Sequence, residues 1–120
     1  MLNFGHSHTL EITISSQTGL SNPFDFSNFT SGLIKTTAEE PIYFGFHIAE
    51  TETADFYDLY RTNPDTLTEE RVIMPLPFEH WLPLPEELRS AKWVRIAAME
   101  DANNVEPPSN NEAVFLILKS

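Results

Sequence analysis

Ile42-Tyr43-Phe44-Gly45-Phe46-His47-Ile48 is the stretch on which the fold turns. Ile42, Phe44, Phe46 and Ile48 occupy alternate positions, with Tyr43, Gly45 and His47 between them. Side chains of an extended chain alternate between two faces, so this heptad reads as a strand with one strongly apolar side.

Working outward, Thr9 to Ser15 alternates in the same way, with Leu10, Ile12 and Ile14 on one face. Lys92 to Met99 sets Val94, Ile96 and Ala98 opposite Trp93, Arg95 and Ala97. Ala113 to Leu118 is an unbroken apolar run, as expected of a central strand. Shorter strands are expected at Leu33–Thr37 and at Arg71–Met74, where branched and apolar residues gather. Phe24, Phe26 and Phe29 lie in a turn-rich segment and read as core anchors rather than an exposed patch.

Two short helices are expected. One follows residues 42–48: Thr51 or Thr53 supplies an N-cap, Phe56, Leu59 and Tyr60 fall on one side, and Asn63-Pro64-Asp65 ends it after Arg61. The other is a turn or two at Pro85–Arg89, with acids at its positive end. The expectation is therefore a single domain over residues 1–120. Its class is α+β, a mostly antiparallel sheet of five or six strands with two short helices.

Composition narrows the function. The 120 residues carry 41% hydrophobic side chains, enough for a core, and no cysteine. Disulfides and thiolate chemistry are thereby excluded. No apolar run nears the roughly 20 residues a membrane helix needs. The first residues lack a signal-peptide pattern, so a cytoplasmic location is expected. His6-x-His8, His47 and His80 show no ligand spacing, and no metal or cofactor is expected. Phosphate-binding glycine loops, nucleophile elbows and zinc-protease motifs are absent, which speaks against an enzyme.

Charge is the extreme quantity, with eighteen acids facing seven bases for a net of −11. It is unevenly spread. Residues 39–70 hold nine acids and one arginine, a net of −8, whereas residues 1–38 stand at −1 and residues 71–120 at −2. On the expected helix, Glu52, Asp55 and Asp58 form one acidic stripe. Glu39, Glu40, Glu50, Glu69 and Glu70 flank the same strand and helix, so the fold is expected to gather a row of carboxylates. Such a surface repels nucleic acid and anionic lipid and attracts basic proteins.

In length, acidity and scarcity of lysine the chain resembles the small acidic bacterial DNA-mimic proteins, in particular the neisserial type that binds the histone-like protein HU. The resemblance implies a non-catalytic inhibitor whose carboxylates stand in for phosphates on the DNA-binding face of a basic protein. It makes Glu39, Glu40, Glu50, Glu52, Asp55, Asp58, Glu69 and Glu70 the partner-binding residues. No direct binding of nucleic acid or membrane is expected, and self-repulsion at −11 favours a monomer. An immunity or antitoxin-type inhibitor of a basic toxin fits the same charge, and a small enzyme using unmotifed carboxylates ranks last.

Overall fold

A computed structural model describes residues 7–39 and 42–120. It is nearly all-β, and the α+β expectation is corrected. Eleven strands follow in chain order: β1 (Ser7–Ile14), β2 (Phe24–Asp25), β3 (Ser31–Thr36), β4 (Tyr43–Ala49), β5 (Tyr57–Asp58), β6 (Tyr60–Thr62), β7 (Glu69–Arg71), β8 (Ile73–Pro75), β9 (Leu82–Pro83), β10 (Trp93–Met99) and β11 (Glu112–Lys119). Among the described residues a single 3-10 helix spans Glu86–Ser90.

Two antiparallel sheets carry the core. The first has the order β1-β11-β3-β9 and the second β2-β10-β4-β5, with β8 also paired to β4. In the first, Ile12 faces Val114 and Leu10 faces Leu116, which in turn faces Ile34. In the second, Phe44 lies opposite Ala98, Phe46 opposite Ile96 and Ile48 opposite Val94. These alternate residues meet in one buried cluster between the sheets, joined by Phe24, Phe26, Leu84 and Leu88. Removing a phenylalanine side chain from water contributes about 2 to 3 kcal/mol, so Phe26, Phe44 and Phe46 are leading contributors. On the outer face of β10, Ala97 and Met99 are buried as well, where Leu20 bridges to Ala97 and Val105 to Met99.

The expected helix from Thr51 to Arg61 does not form. Its cap does: the Ala54 amide donates to Thr51 Oγ1 at 3.1 Å, closing one turn. Beyond that turn the chain becomes β5 and β6, because β4 has an edge whose backbone groups require partners. The Leu59 amide donates to Phe46 O and the Leu76 amide to Ile42 O, both at 3.0 Å, while Val72 donates to Leu59 O at 2.8 Å. A helix over the same residues would take the Leu59 amide away from Phe46 O and would set Glu52, Asp55 and Asp58 against one another. The strand expected over 71–74 is two strands, β7 and β8, separated by the buried Val72. Ile42 is 60% exposed rather than part of the core face. Phe24 and Phe26 are buried and Phe29 is half-buried, as core anchors should be.

Candidate functional site

The far edge of the second sheet concentrates the chemistry. Its foundation is His47, on the side of β4 facing away from the core yet only 7% exposed. Neighbouring Gly45 makes the room: a Cβ there would stand 3.0 Å from Met99 Cγ and 3.6 Å from Arg71 Nη2. β5 places Asp58 opposite His47 in register. β7 ends on Arg71, and β10 supplies Arg95 directly across from His47.

The protonation of this cluster follows from its donors. Arg95 has nothing but donors, so its Nε at 2.9 Å must donate to His47 Nδ1, leaving the ring neutral with its proton on Nε2. That proton faces Asp58 Oδ1 at 3.0 Å. Arg71 Nη2 lies 3.0 Å from the same oxygen and 2.9 Å from His47 Nε2. Both nitrogens are donors in this tautomer, so Asp58 Oδ1 accepts from both and holds them side by side. Burial, first, and the adjoining Arg95 lower the His47 pKa to about 4, with Asp58 opposing and Arg71 adding to the shift. Arg95 is itself lowered by burial and rests over the Phe56 ring at 4.8 Å. Arg71 is 8% exposed in its side chain, and its buried Nε has no hydrogen-bond partner. The cluster is thus a clip that fastens β5 and β7 to β4. Both ring nitrogens of His47 are engaged, which leaves it no free lone pair for catalysis.

Above the clip lies an open groove of about 420 Å³ lined by Ile48, Ala49, Glu50, Asp55, Tyr57 and Asp58. The fold therefore brings together Glu50, Asp55 and Asp58, and Glu52 sits exposed in the turn between them. Glu50 meets Lys92 at 3.2 Å with both side chains in solvent, a contact of little energetic weight. Glu69 and Glu70 lie on β7 in a two-stranded ribbon with β6, where Glu70 pairs with Arg61 at 3.0 Å. Glu39 is elsewhere, exposed after β3 in a hollow shared with Asn110 and Glu112. Glu40 and His6 lie outside the described residues. The stripe of Glu52, Asp55 and Asp58 does not exist as a helical row, since the helix is absent, and Asp58 serves the clip.

Exposed apolar side chains on this edge escaped sequence reasoning. Tyr57 is 69% exposed, and Leu67, at the tip of the ribbon, is 80% exposed with a φ of 57°. The run Asp55-Phe56-Tyr57-Asp58-Leu59-Tyr60 repeats with a period of three and carries no strand signal. Among the described residues no group of three or more His, Asp or Glu is placed to hold a metal ion. No helix among them is long and apolar enough to cross a membrane.

No protein-family model matches the chain, and no curated protein matches it. Among solved structures, the crystal structure of the SPBc2 prophage-derived protein YomS is similar over 100% of both chains, with a TM-score of 0.58 at 11% identity. That likeness is one of fold alone.

Proposed function

We propose that this chain is a non-catalytic binding protein whose acidic edge covers the nucleic-acid-binding face of a basic protein, as a DNA mimic does. The observation that carries the reading is the concentration of charge: residues 42–70 hold seven acids and one arginine, a net of −6 out of −11, and run from β4 through β5, β6 and their turns into β7. Glu52, Asp55, Asp65 and Glu69 have no basic partner there among the described residues, so their charge is directed at solvent. Exposed Tyr57 and Tyr60 add the amphipathic area on which interfaces anchor. The engagement of both nitrogens of His47 supports a binding role over acid–base catalysis.

The test is displacement of labelled duplex DNA from a purified histone-like HU protein. The chain should release the DNA at low salt and bind no duplex by itself. Raising salt from about 0.05 to about 0.2 M should weaken its complex with HU at least about tenfold, because exposed charges are screened beyond roughly 8 Å at physiological strength. Failure to displace DNA at any salt, or tight binding of duplex by the chain alone, refutes the reading.

A further inference from the structure

The apolar run from Ala113 to Leu118 has the pattern of a strand covered on both faces. β11 is covered on one. It is central in the first sheet, with Val114, Leu116 and Leu118 buried in the core. Its other face points away from the second sheet, and there Phe115 and Ile117 are only half-buried. Neighbouring strands extend that face. The register sets Ile117 between Thr9 and Leu33, and Phe115 between Glu11 and Lys35. Trp81, 40% exposed, lies beside Lys35 at the end of the second row.

The charges of this face are few and unmatched. It carries Glu11, Lys35 and Lys119, a net of +1 on a molecule of −11. The Lys35 ammonium is held by two rings, 5.0 Å from the Trp81 centroid and 5.9 Å from that of Phe115. Those contacts fix the cation and supply no counter-charge. Glu11 lies two strands away in the same row, about 10 Å across, with Phe115 between them. Among the described residues neither Glu11 nor Lys35 has an ion-pair partner.

We infer that this outer face of the first sheet packs on the same face of a second copy of this chain, about a two-fold axis running along β11. An interface of that symmetry sets residue i against residue j and j against i. Phe115 and Ile117 then meet their own counterparts on the axis, Thr9 lies over the partner's Leu33, and Glu11 lies over the partner's Lys35, twice. Sheets packed face to face stand about 10 Å apart, a gap that a glutamate and a lysine reaching toward each other span. Other axes in the same plane fail on charge. One along β3 sets Lys35 against Lys35, and one across the strands at Phe115 sets Glu11 against Glu11 as well. Axes midway between strands or between rows leave both charges against neutral residues.

Bulk charge does not oppose this contact at close range. The second sheet, which carries the acidic edge, lies on the far side of the core, so both copies keep that edge turned outward. The shortest dimension of the molecule is 30 Å, several screening lengths at physiological salt. Lys119 is the one charge on the axis. It is exposed at the end of β11, where the angle of about 30° between aligned sheets carries the two copies of it apart.

Sedimentation equilibrium from about 10 µM to about 1 mM measures the association by mass action. The expected mass climbs from 13.7 kDa toward twice that value. Glu11→Lys and Lys35→Glu each turn both symmetry-related attractions into repulsions, and each should weaken the dimer about tenfold. Combined in one chain they restore the pairing with its ends exchanged, and association should return to within about threefold of the original. Ile117→Lys sets like charges against each other on the axis and should hold the mass at 13.7 kDa throughout. Thermal melts establish that each variant is folded, and Glu11→Lys, at an exposed position, carries the test by itself if Lys35→Glu unfolds. A mass of 13.7 kDa for the unsubstituted chain at every concentration overturns the inference. So does a dimer that survives Ile117→Lys or is untouched by Glu11→Lys, or a folded double variant that associates no more tightly than the single ones.

Discussion

Replacing Asp58 by alanine removes the carboxylate that Arg71 and His47 share. The Arg71 guanidinium has 8% of its side chain exposed and already leaves Nε unpaired, so it would keep its charge with no acid beside it. Stranding one member of a fully buried ion pair costs about 3 to 5 kcal/mol. Asp58 itself is 39% exposed, and water entering its place returns part of that cost, which brings the expected loss to about 2 kcal/mol. A chain of 120 residues has an unfolding entropy near 0.25 kcal/mol/K, so the melting temperature should fall by about 8 °C. Asp55→Ala is the matched control. It removes the same charge from the same groove, from a carboxylate with no partner, and should change stability by less than about 0.5 kcal/mol. Denaturant unfolding of both variants provides the comparison, with amide exchange at Leu59 and Val72 reporting whether β5 and β7 have come loose from β4. Equal stability of the two variants would refute the clip.

Two further outcomes follow from the same region. His47 has its pKa depressed to about 4 from an ordinary 6.5, so between those values the unfolded chain binds a proton that the folded one does not. Stability should fall by on the order of 3 kcal/mol as pH drops from about 6.5 to about 4, and His47→Gln should remove that part of the slope in pH-dependent unfolding. Leu67 holds a left-handed conformation that glycine adopts freely, so Leu67→Gly should raise stability by about 0.5 to 1 kcal/mol in chemical denaturation.

The long strands were legible because each buries one face. Ile12 and Ile14, Phe44 and Phe46, Val94 and Ile96 all recur with period two, and they meet in the core that period predicts. The Thr51–Arg61 segment was not legible. Thr51 does cap a turn, and Phe56, Leu59 and Tyr60 do fall at helical spacing, but strands of two or three residues are too short to show any period. What decided the segment was the unfilled edge of β4, a tertiary demand that no local pattern records. The charge concentration in residues 39–70 was visible from the start. The clip was hidden, because His47, Asp58, Arg71 and Arg95 are scattered over four strands. Its faint trace was a glycine and a histidine, Gly45 and His47, on the polar side of an otherwise apolar strand.

The central claim is that position along the acidic edge, and not bulk charge, governs binding. It is tested most directly by two triple reversals with equal change in net charge. One converts Glu50, Glu52 and Asp55 to Lys beside the groove, leaving Asp58 and the clip untouched. The other converts Glu86, Glu100 and Glu106, which are exposed on other elements. Each reversal changes six charge units, and at about 0.5 kcal/mol per unit at an exposed interface the groove variant should lose about 3 kcal/mol, on the order of 100-fold in affinity for HU. The control should lose less than about fivefold, since it feels the long-range field alone. Thermal melts establish beforehand that both variants are folded. Equal losses in the two variants, or a larger loss in the control, would contradict the account.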